Sequence, residues 1–109
     1  MRIGHVWRVR PGRRDDYVRM HATIWPELDS LLREAGVTSY TIYLWGDIVF
    51  SHMEVEDYER LIERFGGDPV GLRWEEQFAE VLEYPNADPR SGWPERLVEV
   101  WDLGTRPAD

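Results

Sequence analysis

Polar and apolar residues alternate from residue 2 to residue 10, which puts Ile3, His5, Trp7 and Val9 on one face of a predicted strand. Pro11-Gly12 ends that strand. The spacing then becomes helical, with Tyr17, His21, Ile24 and Leu28 near one stripe. Trp25-Pro26 interrupts it, because a residue before proline avoids the α region, so a kink or two abutting helices are expected, with Pro26 opening the second. Leu28, Leu31, Leu32 and Ala35 give the second helix its inward face, and Gly36 is placed to cap it.

Residues 38–45 (TSYTIYLW) are β-branched and aromatic and predict a strand. Gly46-Asp47 turns the chain, and residues 48–55 (IVFSHMEV) return as its hairpin partner. Helices are expected from Asp57 to Phe65 and from about Val70 to Leu82, separated by Gly66-Gly67-Asp68-Pro69. Residues 84–94 carry Pro85, Pro89, Gly92 and Pro94 and read as an irregular crossing loop, followed by a last strand from Leu97 to Leu103.

This β-α-β-β-α-β order predicts an α+β fold: a ferredoxin-like antiparallel four-stranded sheet with helices on one face. The 109 residues suit one domain over 1–103, with 104–109 as a C-terminal tail. The second strand offers Tyr40, Ile42 and Leu44 on one side and Tyr43 and Trp45 on the other. One helical layer covers one face, so a homodimer with two sheets meeting face to face is expected.

Composition narrows the partners. With 13 basic and 21 acidic residues the net charge is −8, which repels a phosphate backbone and argues against nucleic acid. No basic amphipathic stretch or long apolar run suggests a membrane, and MRIGHVWRVR reads as a strand instead of a signal peptide; a cytoplasmic location is the expectation. The absence of cysteine excludes thiolate chemistry and a disulfide scaffold. Six Trp and five Tyr supply rings that pack in cores and also stack on the C–H faces of sugars.

His21 lies one turn after Tyr17 and shares its face. A neutral imidazole gives a proton at one nitrogen and takes one at the other near neutral pH. The pattern alone leaves His21 open between a packed histidine and a proton-transfer group. His5 and His52 sit in strands expected to be neighbours and read as buried or interface polar packing; no HxH or HExxH spacing points to a metal. Dinucleotide, P-loop and nucleophile-elbow motifs are missing as well.

Four blocks carry a resemblance: Tyr17-x-x-x-His21-x-x-Ile24-Trp25-Pro26-Glu27-Leu28, then Tyr40-x-Ile42-Tyr43-Leu44, then Arg73-Trp74, and the closing Leu97-Val98-Glu99-Val100-Trp101-Asp102-Leu103. Together, in order over roughly Met1 to Leu103, they resemble the L-rhamnose mutarotase family. That resemblance implies a dimeric α+β barrel, no cofactor and a small-molecule sugar as ligand. It implies His21 as the proton donor, with Tyr17, Tyr40 and the Trp74-Glu75 dipeptide contacting the sugar. The family commonly carries two tryptophans after the arginine; Glu75 in place of the second removes a stacking surface and adds a hydrogen-bond acceptor. The hairpin around Trp45-Gly46-Asp47 is also shorter than the family's usual form.

The implied reaction interconverts the α and β anomers of L-rhamnose or a related 6-deoxy hexose by acid–base ring opening, with L-fucose a competing substrate. Two rivals stand beside it: a non-catalytic sugar-binding module, and another enzyme of similar architecture such as a cofactor-independent monooxygenase.

Overall fold

The computed structural model describes residues 1–85, 87–88 and 91–104. Its elements are β1 (Arg2–Val9), α1 (Arg14–Ala22), α2 (Pro26–Glu34), β2 (Val37–Trp45), β3 (Ile48–Val55), α3 (Tyr58–Gly66), α4 (Pro69–Phe78) and β4 (Leu82–Glu83). The sheet order is β2-β3-β1-β4 with every pairing antiparallel, the split ferredoxin-like arrangement.

Local chemistry sets most boundaries. Trp25 is extended (φ −64°, ψ 135°) because Pro26 follows it, so two helices replace one. Gly36 takes φ +94° just past α2, where a side chain would be strained. Asp57 caps α3 by accepting from the Arg60 amide at 3.2 Å, and Asp68 caps α4 by accepting from the Val70 amide at 2.9 Å. Gly71 lets α4 press against the end of α3: a Cβ there would lie 2.3 Å from the Phe65 carbonyl oxygen.

Register decides which residues face inward. Ile3 pairs with Met53, His5 with Ser51 and Trp7 with Val49, while Tyr40, Ile42 and Leu44 pair with Met53, Ser51 and Val49. All therefore share the face the helices cover, and Ile3, His5, Val49 and Met53 are each at most 2% exposed. The opposite face carries Tyr43, Trp45 and Phe50, which are exposed. One run of core residues joins the sheet to α2 and α3 (Ile3, Met53, Leu61), and another joins it to α1 and α4 (Val9, Tyr17, Phe78).

Two expectations need correction. The fourth strand is Leu82–Glu83, pairing with Val9 and Arg8, not residues 97–103. The 97–103 segment alternates like a strand, yet it forms no ladder with β1: the Leu97 amide donates to the Gly4 carbonyl, and Arg2 pairs with Glu99 and Asp102 through side chains. Val98, Val100, Trp101 and Leu103 lie exposed beyond it. The second correction concerns the histidines: Gly4, not His5, faces His52, so His5 and His52 point to opposite faces and do not meet. Of the expected tail, residues 105–109 lie outside the described residues. Among the described residues no helix is long and apolar enough to cross a membrane.

Candidate active site

A cavity of about 480 Å³ lies between the inner face of the sheet and helices α1, α2 and α4. Tyr17 and His21 enter it from α1, Tyr40 from β2, and Trp74 and Glu75 from α4. All five sequence-derived candidates thus line one hollow. His5, Trp7, Phe78, Tyr84 and Trp93 line it too, and the pattern of the sequence had not selected them. A separate, wider depression of about 740 Å³ between α1 and α4 is open to solvent and walled by charges already paired, such as Arg13 and Arg19 with Asp16. None of the five sequence-derived candidates lines it.

His21 is held by its own helix. A carbonyl only accepts, so the 2.9 Å contact between His21 Nδ1 and the Tyr17 carbonyl oxygen fixes the proton on Nδ1. The neutral ring therefore presents Nε2 as a lone pair. Burial pushes the imidazole pKa below its ordinary value, with the Tyr17 carbonyl opposing in part. The ring sits among other rings: Tyr17 at 4.4 Å, Phe78 at 5.2 Å and Trp74 at 5.7 Å and perpendicular. This packing leaves it little freedom to turn.

Tyr17 is 2% exposed, and burial raises its hydroxyl pKa well above the phenol range. The Trp7 indole lies near enough to oppose that rise slightly. Neither the Tyr17 hydroxyl nor the Trp7 Nε1 reaches hydrogen-bond geometry with a described partner. A buried polar group left in this condition costs about 1–3 kcal/mol unless a ligand or water meets it. The two groups stand beside each other on the cavity wall, where each can still donate a hydrogen bond to a ligand.

Tyr40 stands at the mouth. More than a third of its surface is exposed, yet its hydroxyl is buried deeply enough to raise its pKa to about 12. Trp74 packs at 5.1 Å and edge-on against Trp25, whose ring also carries the Arg73 guanidinium at 4.2 Å. This stack braces α4 against the start of α2. Glu75 lies at the rim, exposed as a residue, with its carboxyl pKa raised by partial burial. No cluster of three or more metal-ligating side chains occurs among the described residues. Phenol, indole and imidazole groups on aromatic walls, with the Glu75 carboxyl at the rim, are groups that can hydrogen-bond a small polar ligand and pass a proton.

Comparison with known proteins gives the family and the architecture. The L-rhamnose mutarotase family model matches residues 2–103. The L-rhamnose mutarotase of Enterobacter sp. (strain 638) is 33% identical over 105 residues, covering 94% of this chain and 98% of that one. The L-rhamnose mutarotase of Verminephrobacter eiseniae is 37% identical over 76 residues, 68% of this chain and 71% of that one. Two solved structures share the fold. An L-rhamnose mutarotase from Formosa agariphila superposes with a TM-score of 0.74 at 21% identity, covering 94% of this chain and 98% of that one. The tetracenomycin F2 cyclase of Streptomyces glaucescens, a type-II polyketide cyclase, gives 0.65 at 24%, covering 98% and 99%. At these identities the two structures speak for the architecture alone, whereas the family model spans nearly every described residue. The chain belongs to the L-rhamnose mutarotase family.

Proposed function

We propose that this protein interconverts the α and β anomers of L-rhamnose or a close 6-deoxy relative, using His21 as the proton-transfer group. That it is a sugar mutarotase, an isomerase, follows from the family; the sugar and the residue roles are the proposal. The observation that carries it is the His21 Nε2 lone pair beside the unpartnered Tyr17 hydroxyl in one aromatic-walled cavity.

The tautomer orders the steps. Nε2 accepts the proton of the anomeric hydroxyl, and the freed O1 pair forms the C1=O1 double bond. The C1–O5 pair leaves on O5, which takes the proton back from the imidazolium. O1 and O5 share C1, so one ring nitrogen serves both. The aldehyde then turns about C1–C2, and the same steps in reverse close the ring on its other face. His21 thus delivers a proton to the ring oxygen, but one it has first taken up at Nε2. Its low pKa suits this: the resting ring is neutral, and the imidazolium returns its proton readily. In this reading the Tyr17 hydroxyl donates to O5 as charge gathers there, Tyr40 and Glu75 hold hydroxyls at the mouth, and Trp74 lies along the sugar's apolar face.

A cytoplasmic homodimer is part of the proposal. The exposed Tyr43, Trp45 and Phe50 and the bare 97–103 segment would gain cover from a second copy. The test of function is anomer exchange by NMR saturation transfer on L-rhamnose and L-fucose. His21→Ala should lower the exchange rate by about 10²-fold or more. Equal rates in wild type and variant would remove His21 from the mechanism.

A further inference from the structure

The cavity has a second polar pole that the reaction above does not use. His5, on the inner face of β1, is 2% exposed, and its Nε2 lies 2.8 Å from the hydroxyl of Tyr58 at the start of α3. Rings surround it, Trp7 at 6.1 Å, Tyr58 at 5.7 Å and Trp93 at 6.3 Å between centroids, with Ser51 as its cross-strand partner and the Arg96 charge nearby. An imidazole in such company is costly to bury, and a phenylalanine would fill the space without needing partners. Yet His5 faces the cavity.

Its tautomer is set from behind. A phenol donates more readily than it accepts, and an imidazole lone pair is the stronger acceptor, so the Tyr58 hydroxyl donates to Nε2 and the proton resides on Nδ1. Burial, aided by the Arg96 charge, pushes the imidazole pKa down to about 4, so the ring is neutral near pH 7. Nδ1 has no hydrogen bond among the described residues. His5 therefore presents a single N–H of fixed direction.

Position separates this donor from the reacting atoms. Tyr17 packs with Trp7 and Val9, toward the far end of β1, and His21 sits with Tyr17. His5 lies two residues back along the same strand face, about 6.6 Å from Trp7 at the usual rise. That step is comparable to the width of a pyranose ring. A sugar with C1 at His21 reaches His5 with a hydroxyl on its other side.

We propose that His5, oriented by Tyr58, is a specificity-determining donor that binds a ring hydroxyl remote from the anomeric carbon. The proposal rests on the mutarotase reading. Tyr58 acts only as a positioning residue. One well-aimed buried donor discriminates between a sugar carrying its hydroxyl partner and the analogue lacking it, because the donor is otherwise left unpaired.

The test uses L-rhamnose and its 2-, 3- and 4-deoxy analogues in anomer-exchange kinetics. His5→Phe should raise KM for L-rhamnose by roughly tenfold with kcat changed by no more than about twofold. One monodeoxy sugar should be indifferent to that substitution, having already lost the partner hydroxyl. His5→Asn keeps an amide N–H near the place of Nδ1 and should restore KM, and Tyr58→Phe should raise it more weakly. These two variants serve as well should His5→Phe fold poorly. A fall in kcat with KM unmoved, or an equal loss for all four sugars, overturns the proposal. Failure of the wild type to exchange any anomer would sink the mutarotase reading instead. NMR titration of wild type and His5→Asn with the same four sugars then still decides whether His5 discriminates among them.

Discussion

His21 donates through Nδ1 to the carbonyl of Tyr17, 2.9 Å away and one helical turn earlier, and this one bond determines which nitrogen the cavity sees. Tyr17 and His21 stand four residues apart inside α1 (Arg14–Ala22), so the helical spacing itself sets the ring against this carbonyl, and the tautomer follows from that spacing.

The Tyr17 hydroxyl gives a prediction in which stability and activity move in opposite directions. It is buried and lacks a partner among the described residues, so its desolvation is uncompensated in the empty enzyme. Tyr17→Phe should raise stability by up to about 1 kcal/mol, a Tm gain of several degrees in a domain of this size. The same change should slow anomer exchange by roughly tenfold, as the donor to O5 is lost. Thermal unfolding and NMR exchange on one preparation check both. A loss of stability would mean that the hydroxyl has a partner in the unliganded protein.

Acid should destabilise the protein through its inward histidines. His5 has its folded pKa lowered to about 4, and His21 is lowered too, against about 6.5 unfolded. A depressed folded pKa means the unfolded chain binds the proton first as pH falls. Their contribution is complete above about pH 6.5 and, for His5, is lost progressively down to about pH 4 and no further. The loss from His5 is up to about 3 kcal/mol. Urea midpoints at pH 7, 5.5 and 4 should fall in sequence, and His5→Phe should flatten the trend. An unchanged slope in that variant would assign the acid sensitivity elsewhere.

Much of this architecture could be read from the residue pattern, and the parts that could not have physical reasons. β1 alternates over eight residues, long enough for a period of two to stand out, while β2 and β3 declare themselves by β-branched and aromatic runs either side of Gly46-Asp47. β4 has two residues and follows α4 almost directly, so it carries no periodic signal. The 97–103 stretch carries that signal strongly yet is not a strand of the sheet, because alternation records two-sided surroundings without saying which chain supplies them. At the site, Tyr17 and His21 were readable from their spacing, while Tyr40, Trp74 and Glu75 came from the resemblance. His5 reads from the sequence as buried polar packing, which its burial and its bond to Tyr58 agree with; that it also lines the cavity depends on strand register and on a partner 53 residues away. A one-residue slip would have sent its side chain to the other face.

The bare face of the sheet supplies the last prediction. Tyr43 and Phe50 pair directly across β2 and β3, and Trp45 stands beside them; they are 64%, 39% and 72% exposed. Rings so concentrated on one face are rare on a monomer, and a charge of −8 per chain opposes casual association. Apolar burial is thus the available drive for pairing, and a face-to-face dimer would supply it. Sedimentation equilibrium should give twice the 12.9 kDa of one chain. Trp45→Arg, which sets like charges against each other across a two-fold axis, should shift the equilibrium toward monomer by about tenfold or more. Trp45 is not among the residues lining the cavity, so monomers formed this way separate two roles of the interface. Exchange activity that survives in them would confine the interface to structure; activity lost with dissociation would make the dimer the working unit. A wild type that sediments as a single chain would remove the dimer from the account altogether.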